Sequence, residues 1–205
     1  MKIKDYFTKN FAVIAIILIN LLIFIAVNIV PNLSDSLLLN PELDALAKSP
    51  WTLITVLFTH EVLIHFLLNM VLVFIFGTQL SKETNYGVVF FTYILCGLLG
   101  SSVVLVYAPL IKYTGAPIAG ASAAAFGLVA AYGALRPNKE IFKSKVKYWV
   151  VALFVVNALF TVQNPSVSVG GPAHAIGILV GLLIGFILKK KVNKNTVQTI
   201  GVESK

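Results

Sequence analysis

Residues 169–188 read VGGPAHAIGILVGLLIGFIL, twenty positions whose only ionisable side chain is His174 and whose glycines recur every fourth residue at Gly177, Gly181 and Gly185. Wound as a helix at about 1.5 Å per residue, such a run spans roughly the 30 Å of a bilayer's hydrocarbon. Five more apolar stretches precede it, at about Phe11–Val30, Leu53–Leu80, Val88–Tyr107, Ala116–Leu135 and Val146–Val162. None alternates with the period of two that a barrel strand needs, and lipid offers no partner for an unpaired backbone group. The expected fold is therefore an all-α membrane protein, a six-transmembrane-helix bundle forming one domain over residues 1–205. The segment 193–205 reads as a short cytoplasmic tail, and Pro31–Pro50 as a loop able to hold short interfacial helices.

Composition agrees with a lipid solvent. Apolar residues make up 58% of the 205 positions and charged ones 12%, about half the charged share of a soluble domain. The net charge of +8 sits in short basic clusters beside apolar runs, where topology and lipid headgroups account for it, so nucleic acid is not an expected partner. Threading six spans puts Lys2, Lys4, Lys9, Lys82, the Arg136–Lys147 group and the Lys189–Lys194 group on one side. By the positive-inside rule both termini are expected to be cytoplasmic, and the chain is expected to be a multi-pass protein of the plasma membrane. Phe11–Val30 is too long for a signal peptide and reads as a retained first span. The one cysteine, Cys96, lies inside an apolar run and reads as a packing thiol.

Polar residues within such runs cost free energy unless paired or wetted, so they carry the information. His60, His65, Asn69, Ser122 and His174 stand out, with Asn20, Asn28 and Asn157 as candidates for interhelical hydrogen bonds. His65 and Asn69 are four apart and share a helix face. On the threaded bundle Ser122 and His174 come to one depth on two different helices. A serine hydroxyl needs a base, and histidine is the usual one near neutral pH. An attacked amide also needs donors for its oxyanion, for which Asn69, His65 and the Ser122 backbone N–H are candidates. No carboxylate lies in the fourth or sixth span, which leaves packing, a hydroxyl or water to orient His174; Glu61 is the nearest acid. Each residue also has a plainer reading: Ser122 bonded to a backbone carbonyl, Phe126 as core, His60 as a structural or interfacial histidine.

The run His65-Phe-Leu-Leu-Asn69 resembles the His-x-x-x-Asn signature of the rhomboid intramembrane serine proteases. Gly120-Ala-Ser122-Ala resembles that family's Gly-x-Ser-Gly, and His174-Ala-Ile-Gly177-Ile-Leu-Val-Gly181 its His-x-x-Gly-x-x-x-Gly. The order and helix numbers match the basic six-helix form of prokaryotic type. The resemblance implies Ser122 as nucleophile, His174 as base, and Asn69, His65 and the Ser122 N–H at the oxyanion. It gives supporting places to Gly120, Phe126, Gly177 and Gly181, the Phe126 ring against His174. It further implies single-span transmembrane protein substrates cut near the outer membrane face, with the lipid bilayer as the other partner and no cofactor. Two departures stand out: Ala123 follows the serine where the family has glycine, and Trp51 is followed by Thr52 where the family has arginine.

Other classes fit less well. A zinc site would need three or more converging ligands; His60 and His65, five apart, would diverge on one helix, and no His-Glu-x-x-His occurs, so no metal is expected. A transporter would carry midplane charges or an internal repeat. A catalytically weak or inactive relative that binds membrane-protein clients is the main alternative, and Ala123 is the residue that suggests it. Entry of substrate between the second and fifth spans would involve Phe74, Phe76, Tyr148, Trp149 and Phe154.

Overall fold

The apolar runs fold as helices because each satisfies its own backbone hydrogen bonds. The computed structural model describes residues 3–203. Among these, five helices are long and apolar enough to cross a membrane: α2 (Phe11–Ile29), α6 (Leu63–Glu83), α7 (Tyr86–Leu110), α9 (Val146–Gln163) and α10 (Gly171–Glu203), the last apolar over Gly171–Val192. A sixth apolar helix, α8 (Ser122–Leu135), has only 14 residues. The short helices α1 (Ile3–Lys9), α3 (Leu33–Leu37), α4 (Leu43–Lys48) and α5 (Thr52–Thr55) complete the set, with a 3₁₀ turn at Val56–Phe58. Strands β1 (Glu140–Ile141) and β2 (Ser144–Lys145) make a small hairpin between α8 and α9, turned at Phe142 and Lys143 with positive φ.

The short helix is the centre of the bundle. Twelve of its residues are buried, and α6, α7, α9 and α10 all pack on it. Small residues permit this. A Cβ added at Gly177, Gly181 or Gly185 would come within 2.2, 2.3 and 2.2 Å of the carbonyl oxygens of Ala123, Gly127 and Ala131, respectively. The stripe visible in the sequence is thus a seam along which the α10 and α8 backbones touch.

Three boundaries differ from the sequence reading. The helix expected from Leu53 begins at Leu63, because residues 53–62 turn through α5 and the 3₁₀ segment into an irregular stretch. Hydropathy alone does not separate a buried loop from a helix. The helix expected from Ala116 begins at Ser122, after Pro117 and after Gly120 at φ 123°, both poor helix residues. The segment read as a tail is helical as far as Glu203; residues 204–205 lie outside the described part.

The loop before α6 holds its shape through its own polar groups. The Trp51 indole N–H donates to the Ser36 carbonyl at 2.8 Å, and the Thr55 hydroxyl to Leu37 at 2.7 Å. Leu39 pairs with Ile118 as an isolated β-bridge, which ties this loop to residues 111–121 ahead of α8. The loop missing its Trp-Arg pair is thus fastened by other bonds. At the opposite end of the bundle, Arg136 and Glu83 form an ion pair at 2.7 Å, exposed enough to be worth about 1 kcal/mol or less.

Candidate active site

Ser122 is the first residue of α8, and no side chain caps that helix: Ala121 holds the cap position. The free N–H groups and positive dipole end of α8 therefore begin at the serine itself. His174 lies in the first turn of α10, three residues before Gly177, where the seam between the two helices starts. Ser122 Oγ stands 2.6 Å from His174 Nε2, and the Phe126 ring, one turn along α8, packs on the imidazole with centroids 4.9 Å apart.

The approach to Ser122 is fixed by Gly120. Its φ of 123° disfavours any side chain, and a Cβ there would come within 2.4 Å of His65 Cε1. Backbone and imidazole thus share a space that only glycine leaves open. His60 secures the same segment. It is fully buried, and its Nε2 accepts from the Asn69 amide at 3.1 Å and from the Ala121 N–H at 3.3 Å. Burial, with His65 as a lesser influence, pushes the His60 pKa down to about 3, so the ring is a neutral acceptor. Because residues 59–62 are not helical, the His60 and His65 rings do not diverge; their centroids are 5.1 Å apart.

Asn69 is engaged by its own surroundings. Its side-chain nitrogen donates to His60 Nε2 and to the His65 carbonyl at 3.0 Å. An amide has two hydrogens, and both are engaged away from Ser122. In this conformation Asn69 braces His60 and the turn before Ser122 instead of presenting a donor to an oxyanion. His65 lines the same cavity as Ser122, and the Ser122 N–H belongs to the first residue of α8.

Around Ser122 and His174 opens a cavity of about 700 Å³, lined by His65, Gly120, Phe126, Trp149 and Leu153 among others. Ala123 also borders it, and its methyl is accommodated on the far side. A Cβ added at Gly100 of α7 would stand 2.7 Å from the Ala123 Cβ, so the alanine fills space that Gly100 leaves free. Of the bulky residues considered for an entry path, Phe74, Tyr148 and Phe154 are exposed, Trp149 is half-buried and Phe76 is fully buried. Phe76 is a core residue because its ring packs edge-on against Trp149 and Tyr132.

One polar contact escaped the sequence reading. Asn157 Oδ1 lies 2.8 Å from His174 Nδ1, and Asn157 Nδ2 donates to the Gly171 carbonyl at 2.9 Å. The clue was present in an amide set within the apolar run Val146–Val162, but its partner is on another helix.

A family model described as the Rhomboid domain matches residues 47–191. The chain belongs to the rhomboid family. Among curated proteins it is 32% identical over 139 residues to the Arabidopsis thaliana RHOMBOID-like protein 6, mitochondrial, covering 67% of this chain and 43% of that protein. It is 28% identical over 174 residues to the Arabidopsis thaliana RHOMBOID-like protein 5, covering 76% and 53%. The chain thus spans about half the length of these relatives. Membership in the rhomboid family together with several long apolar helices makes it a multi-pass membrane protein. The three motifs of the resemblance fall on α6, α8 and α10 and meet at one end of the rhomboid domain, opposite the Arg136–Glu83 pair.

Proposed function

We propose that this rhomboid-family chain is an intramembrane serine endopeptidase with Ser122 as nucleophile and His174 as general base. The observation that carries the reading is the 2.6 Å approach of Ser122 Oγ to His174 Nε2 at the wall of an apolar cavity large enough for several side chains. In the reaction, Nε2 takes the hydroxyl proton as Oγ bonds to the substrate carbonyl carbon. The carbonyl electrons move to oxygen, which is stabilised by the Ser122 N–H at the α8 terminus and by His65. As the C–N bond breaks, His174 returns the proton to the leaving amine. Water, activated by the same imidazole, then hydrolyses the acyl-enzyme and restores Ser122.

The substrate class is a single-span transmembrane protein that presents a locally unwound segment. The site needs no cofactor. In the membrane, α8 acts as a sixth, enclosed span, both termini face the cytoplasm, and the Ser122 end of the bundle faces outward in the plasma membrane, as the basic residues at the other end favour. Asn69 serves the oxyanion site indirectly, by bracing His60 and Ala121. A purified, lipid-reconstituted chain should cleave a generic single-span substrate, while Ser122→Ala and His174→Ala should not. If the parent chain neither cleaves nor reacts with a fluorophosphonate at Ser122, the protein is instead a client-binding relative.

A further inference from the structure

Apart from Ser122, the described hydrogen bonds give the His174 ring one partner, Asn157. The direction of the Asn157 contacts follows from a single fact: the Gly171 carbonyl can only accept. The nitrogen of the Asn157 amide must therefore face Gly171, which leaves Oδ1 facing the imidazole. Oδ1 also can only accept, so the ring proton resides on Nδ1. Nε2 is then a lone pair directed at the Ser122 hydroxyl. The chain Gly171 C=O, Asn157 amide, His174, Ser122 thus has one consistent hydrogen-bond polarity, and it is the polarity that makes His174 a base toward the serine.

We infer that Asn157 is a positioning residue that selects the Nδ1–H tautomer of His174 and holds its ring toward Ser122, a part taken by a carboxylate in other serine hydrolases. This rests on the serine endopeptidase reading. Three further observations support it. Asn157 lines the same cavity as Ser122 and His174. Its backbone carbonyl also accepts from the Thr161 hydroxyl at 2.8 Å, and a Cβ at Gly171 would collide with Thr161, so α9 and α10 approach closely at this point. Finally, the buried residues of α9 are Val146 and Val150, at its other end, whereas the described hydrogen bonds between α9 and α10 are both made by the Asn157 amide. A neutral amide suits the setting, since a carboxylate would add a charge to an apolar cavity wall.

The test uses the full chain in lipid nanodiscs, with Asn157→Leu to remove both hydrogen bonds and Asn157→Asp to keep an acceptor opposite Nδ1. Nitrogen-15 spectra of histidine-labelled protein, with His174 assigned by His174→Gln, should show an Nδ1–H ring in the parent and in Asn157→Asp. Asn157→Leu should show a mixture of tautomers. In cleavage assays Asn157→Leu should lower kcat by about a hundredfold with KM within about threefold of the parent, and Asn157→Asp should recover part of the loss. An unchanged tautomer or an unchanged kcat in Asn157→Leu overturns the inference, as does an Asp variant no better than Leu. If Asn157→Leu does not fold, the Asp variant decides: an Nδ1–H ring supports the inference and its absence refutes it. The spectra need no turnover. A tautomer change in a chain that never cleaves would uphold the positioning role and sink the endopeptidase reading.

Discussion

The seam between α8 and α10 offers a quantitative test of how the Ser122–His174 distance is set. Gly177→Ala would place a methyl 2.2 Å from the Ala123 carbonyl oxygen, where an ordinary contact is about 3.4 Å, so the helices must part locally by about 1.2 Å. His174 is one turn from that point. Its 2.6 Å contact with Ser122 would open past about 3.5 Å, beyond a hydrogen bond, and kcat should fall about a hundredfold. Gly185→Ala is the control. Its methyl meets the Ala131 carbonyl at the same 2.2 Å, but it lies two turns further on, about 12 Å along the axis. Both substitutions overpack the seam by the same chemistry, worth about 1–3 kcal/mol, and both should lower Tm similarly. The assay is kcat for a single-span substrate in nanodiscs beside Tm for each variant. If Gly185→Ala loses as much activity as Gly177→Ala at equal Tm, or if Gly177→Ala keeps its kcat, the seam does not set the distance.

Four other outcomes are expected. Ala123→Gly should leave cleavage within about threefold of the parent, because the methyl occupies space opened by Gly100 and not the serine's own path; a large gain would show the alanine to be inhibitory. Phe126→Leu removes the ring on His174, an interaction of about 0.5–1.5 kcal/mol, and should lower kcat up to about tenfold with little change in KM. Trp51→Phe loses the indole bond to Ser36 and should lower Tm by an amount equivalent to about 1 kcal/mol, read by thermal unfolding in detergent. For His60, the folded pKa of about 3 lies below the ordinary 6.5, so the unfolded chain takes up its proton first as pH falls. Stability from this residue is complete above about 6.5 and declines from there toward pH 3; His60→Gln should flatten that decline in Tm measured between pH 7 and 4.

Much of this was legible from spacing. Glycines at 177, 181 and 185 announced a close helix contact, and a serine and a histidine at equal depth on two helices announced their meeting, because helical rise converts sequence position directly into height. What stayed hidden depends on partners distant in sequence. Val56, Leu57 and Phe58 are as apolar as Val71, Leu72 and Val73, yet only the latter are α-helical, the first group forming a 3₁₀ turn packed against α7. Asn69 was legible as a polar residue beside the site, but not the direction of its hydrogens, which His60 decides. Phe76 looked like a lipid-facing aromatic because hydropathy is the same on either side of a membrane helix. Asn157 looked like any amide joining two helices, because nothing in its own run tells which atom it meets.

The brevity of α8 has a bearing on the membrane itself. At about 1.5 Å per residue, 14 residues reach about 21 Å, roughly 9 Å short of a hydrocarbon layer of about 30 Å. Enclosed by its neighbours, this helix has no duty to match the lipid, and a thicker or thinner bilayer bears on the outer helices first. At the serine end, residues 111–121 stand in place of helix. On the endopeptidase reading proposed above, a peptide bond would be attacked below the level of the headgroups by a residue at the wall of an internal cavity, and the depth of the cut would follow from how early one helix stops.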